Sequence, residues 1–319
     1  YADHIYTLSK GISWITFQNE CAAIRIDDQL CKQGKGITLY SSFKQNLKGD
    51  KIYTVFEDSE GDEWILTNKG ISIIGKKQVD SDFPFQYIKE ADGIIYLVSQ
   101  SDKLASYNFK TRQFKFIEIP YHVSMINEVK KFDSNTLLLA TDNGLIIYKI
   151  KEKEFQLIDI RTSTQPSNVV QSVYQDHYKE LWIFPQTTGV IRYNPSTKEM
   201  QHLFTPANEV IRYERKNKNV IFEDRQHTLW VLPPEGNLSY YDRENKELKP
   251  MLKDSNNPKS VFSPLVRFYT LDNQGNCWLT STRGIYKLSF FPHTYNLVHI
   301  DNGFETRAFL CDNEKRLWV

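Results

Sequence analysis

The residues of this 319-residue chain most able to do chemistry are seven histidines, four cysteines and a set of regularly placed aspartates. His4, His122, His177, His202, His227, His293 and His299 nowhere pair at metal-ligand spacing, so no metal site is expected. Cys21, Cys31, Cys277 and Cys311 form no CxxC pair and are too scattered for a disulfide scaffold. Buried free thiols are the expectation, with a Cys21–Cys31 bridge as the alternative in an oxidising compartment. No GxSxG elbow, GxxxxGK(S/T) loop or Cys with a nearby His is present, so neither nucleophilic catalysis nor nucleotide binding is indicated. A glycosidase would need two carboxyls outside any repeat, roughly 5–10 Å apart, which no pattern here singles out. The expectation is a chain with no catalytic residues and no cofactor.

Charge and hydropathy narrow the classes further. Lys plus Arg number 40 against 39 Asp plus Glu, a net charge of +1, which argues against a nucleic-acid surface. The mean hydropathy is −0.51, and no apolar run approaches the ~20 residues that cross a bilayer. The start, Tyr1-Ala2-Asp3-His4, has neither Met nor a leader pattern, so the expectation is a piece of a longer protein. Aromatics reach 13%, and such rings favour pleated, half-buried surfaces, so strands are predicted.

The aspartates reveal what positions these residues. Asp58, Asp176, Asp224, Asp272 and Asp312 each stand six residues before a tryptophan: Trp64, Trp182, Trp230, Trp278 and Trp318. The sixth tryptophan, Trp14, has Leu8 at the Asp position but keeps a turn glycine, Gly11, as at Gly61 and Gly275. Two worn copies fill the gap after Trp64, with Tyr96 and Leu138 in the Trp slot, giving a period of about 43 residues. Before each Asp an apolar alternation predicts a strand, with Ile52, Thr54 and Phe56 on one side and Tyr53 and Val55 on the other. Asp then opens a turn whose fourth residue is left-handed: Gly61 or Gly275, but Lys179, His227 and Lys315 in other copies. Trp lies on the second strand, and a second turn carries Gly70, Gly144, Gly189, Gly236 or Gly284.

Each unit therefore reads as a four-stranded antiparallel meander whose two apolar faces need neighbours, as in a propeller blade. The predicted fold is an all-β propeller of seven four-stranded blades over residues 1–300. Residues 301–319 would form the first two strands of a further, truncated repeat; eight blades is the alternative count. The repeat Asp residues are read as turn formers, and the tryptophans as inter-blade core rather than sugar platforms.

The motif D-x-x-G-x-x-W, at Asp58, Gly61, Trp64, Thr67, Gly70 and Ile71 and again at Asp272, Gly275, Trp278, Gly284 and Ile285, resembles the two-component-regulator propeller repeat. Leu66-Thr67, Phe184-Pro185, Leu232-Pro233 and Thr280-Ser281 depart from the Gly-Thr that the family often places after Trp. The resemblance implies the periplasmic sensor region of a hybrid histidine kinase of gut bacteria, with two propellers before an immunoglobulin-like module, a membrane span and the kinase. It further implies an oligosaccharide as ligand, control of polysaccharide-utilisation genes, and partners in the rest of the sensor chain and a second copy. A streptogramin-lyase-like propeller enzyme and a protein-binding scaffold are the alternatives. The latter lacks Trp-Asp dipeptides.

A site should then lie in loops that vary between copies, namely the blade connections and the turns between second and third strands. Tyr121, His122, Arg161, Arg212, Tyr213, Arg215 and Arg283 stand out there. Arginine forks suit acidic groups, and tyrosine faces suit sugar rings.

Overall fold

A computed structural model describes the chain except residues 1, 18–19, 43–46, 76–83, 100, 109–110, 112, 164, 188, 204–218, 233–237, 251–265, 273, 282–283, 291–309, 312–316 and 319. Seven antiparallel blades follow one another around a ring. Blade 1 holds β1 (Ala2–Thr7), β2 (Ile12–Phe17), β3 (Ala22–Asp27) and β4 (Ile37–Ser41), and blade 2 holds β5 (Ile52–Glu57), β6 (Glu63–Thr67) and β7 (Gly70–Ile73). Blade 3 holds β8 (Phe85–Ala91), β9 (Ile94–Ser99), β10 (Leu104–Asn108) and β11 (Gln113–Ile117). Blade 4 holds β12 (Ile126–Asp133), β13 (Thr136–Thr141), β14 (Gly144–Lys149) and β15 (Glu154–Ile158). Blade 5 holds β16 (Val170–Gln175), β17 (Leu181–Pro185), β18 (Val190–Tyr193) and β19 (Met200–Leu203). Blade 6 holds β20 (Val220–Glu223), β21 (Leu229–Leu232), β22 (Ser239–Asp242) and β23 (Glu247–Pro250), and blade 7 holds β24 (Val266–Leu271), β25 (Cys277–Ser281) and β26 (Gly284–Leu288). The positions expected to complete blades 2 and 7 fall largely among residues outside those described. β27 (Leu310–Cys311) and β28 (Leu317–Trp318) pair antiparallel.

Among the described residues, blades 2 to 6 bury both faces against their neighbours, and blades 1 and 7 bury one each. Among the described residues, six hydrophobic clusters correspond one to one with the six joints between successive blades. The second strands β6, β13 and β17 are consequently buried throughout rather than alternating. Trp14, Trp64 and Trp182 are fully buried. Trp64 meets Tyr107 of blade 3 edge-on, and Trp182 meets Tyr241 of blade 6 in the same way. Tyr96 and Leu138, the worn copies, are buried in the same slot. Trp278 departs from the core reading: it is 37% exposed, with Lys287 over its ring.

The first strands touch around the inside of the ring, β5 to β8, β8 to β12 and β12 to β16. Their burial does not follow the strict alternation expected. Ile52 and Val55 are both buried, three residues apart, because a β-bulge at the start of the strand flips its phase. The same bulge recurs at the start of β8, β12, β16 and β24.

The repeat Asp does more than open a turn. Its Oδ1 accepts turn N–H groups, while Oδ2 accepts the indole N–H of the Trp six residues on, at 2.9–3.0 Å in four copies. The turn residue is left-handed at Gly61 (φ 83°) and also at Lys179 (φ 65°) and His227 (φ 60°), which lack glycine's freedom. Trp14, with Leu8 in place of Asp, instead donates to Glu63 of blade 2 at 2.6 Å, and Arg25 holds that carboxylate through a bidentate pair. Cys21, Cys31 and Cys277 are free thiols. Cys31 is exposed rather than buried, because the single-turn helix α1 (Asp28–Cys31) that carries it lies on the surface.

Candidate functional site

Blade connections and the turns between second and third strands share one face of the ring. On it, at the junction of blade 3 with its connection to blade 4, lies a cleft of about 720 Å³. The β9–β10 turn supplies Asp102 and Lys103. Ser99, three residues after the slot residue Tyr96, accepts the Lys103 N–H at 3.1 Å and so closes that turn. Thr67 and Thr141 do the same work in blades 2 and 4, each donating its hydroxyl to a glycine carbonyl across the turn. The opposite wall comes from the outer strand β11 and the connection that follows, with Phe116, Glu118, Tyr121 and His122. Phe116 is 48% exposed, although outer strands usually turn polar side chains to water.

This wall is held from behind. The Tyr121 hydroxyl donates to the Phe155 carbonyl at 3.1 Å, pinning the ring to blade 4. Asn143 donates its side-chain N–H to the His122 carbonyl at 3.0 Å, and Asn168 donates in turn to Asn143 at 3.1 Å. Asp142 accepts the Ser124 N–H. The blade 4 turn thus ties two successive connections together. Gly144 is required in it: a Cβ there would lie 2.6 Å from the Ile158 carbonyl, at φ 103°. Among the described residues, the one ion pair in the cleft is Asp102–Lys103 at 3.1 Å, and that ammonium holds the Asp102 carboxyl below the usual carboxylate range.

The cleft therefore offers ring faces (Phe116, Tyr121, His122) beside a self-paired charge couple, an arrangement suited to a ring-bearing, neutral or weakly charged ligand. Among the described residues no three His, Cys, Asp or Glu side chains converge as metal ligands. The structure brings Tyr121 and His122 together. It places Arg161 in the following connection with its guanidinium already held by Asp159 at 2.9 and 3.0 Å. Arg212, Tyr213, Arg215 and Arg283 lie outside the described residues. Asp102 and Lys103 were not singled out from the sequence, although they occupy a turn of the class predicted to carry sites; Phe116 left no signal in it.

With this geometry in hand, comparison with known proteins adds the following. No protein-family model matches the chain. The fold is a β-propeller shared with solved structures of different kinds. The extracellular domain of a hybrid two component system from B. thetaiotaomicron aligns over 91% of this chain with a TM-score of 0.58 and 18% identity. Virginiamycin B lyase from Staphylococcus aureus aligns over 90% of this chain and 94% of its own, with a TM-score of 0.61 and 17% identity. In sequence, the chain is 22% identical over 156 residues to histidine kinase P4 of Formosa agariphila. It spans 9% of that kinase's length and 38% of the extracellular domain's. No helix among the described residues is long and apolar enough to cross a membrane.

Proposed function

We propose that this chain is an extracytoplasmic, periplasmic ligand-sensing propeller of a hybrid two-component sensor histidine kinase. The observation that carries the reading is the cleft itself. It lies on the loop face and is walled by aromatic rings that neighbouring blades brace, and its ion pair is satisfied internally. The likeness to a histidine kinase in sequence and to a two-component extracellular domain in fold supports it. The ligand is an oligosaccharide released from a glycan: Phe116 and the Tyr121–His122 wall supply ring faces, and Asp102, Lys103 and Glu118 supply hydrogen bonds. Binding would favour one arrangement of the sensor's propellers or of two subunits over another, and that differential affinity would drive the kinase and its target genes. Residues 1–300 would make up the sensing ring, with 301–319 beginning the next unit.

Calorimetry of this chain against a panel of plant and host oligosaccharides tests the reading. At least one should bind, and Phe116→Ala with His122→Ala should weaken it at least tenfold. No heat from any of them would refute it. The lyase likeness supports a second reading, which predicts turnover of virginiamycin B by the same chain. Its absence under conditions where virginiamycin B lyase is active would dismiss that reading.

A further inference from the structure

The walls of the cleft at blade 3 carry two carboxylates, Asp102 and Glu118, against one ammonium, Lys103. Lys103 is already paired with Asp102 at 3.1 Å. Glu118 stands apart: it is exposed, and among the described residues its carboxylate has neither an ion pair nor a hydrogen bond. The uncommitted charge on these walls is therefore negative.

The chain ties that charge to an aromatic ring. Along β11 and just past its end, Phe116 and Glu118 are exposed, while Ile117 and Ile119 turn into the core of the joint with blade 4. This alternation puts Phe116 and Glu118 on one side of the chain, about 7 Å apart by the rise of extended backbone. A six-membered ring resting on Phe116 would bring a substituent on its rim within reach of the Glu118 carboxylate. An ionised carboxylate only accepts hydrogen bonds, so that substituent must donate. Hydroxyl and ammonium groups both donate, but bonds between two charged groups are roughly twice as strong as neutral ones. An acidic sugar would meet like charge at Glu118 and find Lys103 already taken.

We infer that the cleft selects amino sugars whose nitrogen is free, Phe116 taking the ring face and Glu118 the ammonium. The inference rests on the sensing reading of this cleft and names the ligand class within it. N-acetylation removes the charge and two of the three donors, so the acetylated sugar loses this bond, and a uronic acid brings the wrong sign.

The test is calorimetry of the chain at pH 7 with three trisaccharides: the β-1,4-linked trimer of glucosamine, its fully N-acetylated counterpart and a trimer of galacturonic acid. The glucosamine trimer should bind at least fivefold tighter than the acetylated one, and the galacturonic trimer should bind weakest. Glu118→Gln should bring the first two within twofold by weakening the glucosamine trimer alone, and Glu118→Asp should keep part of the preference. Melting temperatures equal to wild type show that both variants are folded. Equal binding of the two amino-sugar trimers, tighter binding of the acid, a preference that survives Glu118→Gln, or a loss shared equally by both trimers in that variant would overturn the inference and leave the sensing reading standing. Failure of all three trimers to bind would overturn it too, and the wider oligosaccharide panel then decides the sensing reading by itself.

Discussion

Asp176 is the repeat aspartate whose removal should cost most. Its side chain is fully buried and accepts three donors: the Trp182 indole at 3.0 Å, the Glu180 N–H at 2.9 Å and Arg243 of blade 6 at 2.7 Å. Asp58, by contrast, accepts the Trp64 indole at 2.9 Å and two turn N–H groups, with no arginine. Asp58→Ala leaves neutral donors orphaned, each costing about 1–3 kcal/mol before relaxation and water offset it, so about 2–4 kcal/mol in all. Asp176→Ala adds the loss of one carboxylate from a buried pair, which by itself costs about 3–5 kcal/mol. Because Glu180 remains to hold Arg243, the effects overlap, and about 4–6 kcal/mol is expected for Asp176→Ala. Urea unfolding followed by tryptophan fluorescence, compared at constant m-value, measures both. A double-mutant cycle with Arg243→Met should give a coupling of at least about 1 kcal/mol. If Asp176→Ala costs no more than Asp58→Ala, or the coupling is near zero, the joint between blades 5 and 6 is not held by this pair.

Three further outcomes follow from the same contacts. Lys179→Gly should stabilise the chain by about 0.5 kcal/mol, since the strain of a left-handed lysine slightly exceeds the entropy glycine adds to the unfolded chain; a lower urea midpoint would refute this. The Glu180 carboxyl is pushed up by burial but pulled down further by hydrogen bonds from Arg192 and Arg243, and its folded pKa ends below the ordinary value. Its stabilisation is therefore complete at neutral pH and is lost as pH falls below about 4.3 through the depressed folded value, a component that should vanish from the pH–stability profile of Glu180→Gln. Burial pushes the Cys21 thiol up to about 11 and Cys277 up to about 12. Native-state alkylation at pH 8 mapped by peptide mass should modify Cys31 and spare those two until the protein is unfolded.

Much of the fold was legible because a repeat states its rule several times over. The Asp–Trp spacing, the left-handed turn residue and the buried slot at Tyr96 and Leu138 all recur in the structure. The bulge that changes the phase of each first strand was not legible, since it is an extra backbone residue whose identity varies from Tyr53 to Asn127 to Gln171. The clasps between blades were not legible either. Glu57 accepts the Ser9 N–H at 2.6 Å, Glu90 the Ser59 N–H at 2.7 Å and Glu223 the His177 N–H at 2.9 Å, each reaching back to the preceding blade's turn. A glutamate just before the turn is the only mark they leave, and Gln175 and Leu271 interrupt it. Tyr121 and His122, which line the cleft, stood out in the sequence because connections vary where strands do not. Phe116 could not, because an exposed aromatic on an outer strand looks like any other strand residue.

Departures from a repeat carry more functional information than the repeat does. Where blades share a residue, packing accounts for it: Trp64 and Trp182 each need the Asp beneath them and a Tyr in the next blade. Blades 3 and 4 depart together in three respects. Their Trp slots hold Tyr96 and Leu138, their inner first-strand positions hold Lys89 and Lys130, and the cleft opens at the connection that joins them. Loss of tryptophan removes buried area that a ring of blades would otherwise keep, at about 3–5 kcal/mol for a full truncation and less for Tyr or Leu. That cost falls on two neighbouring blades and on no other pair. Such clustering is expected if this arc of the ring is the part that must meet a ligand or move, and it makes the joint between blades 3 and 4 the first place to look for either.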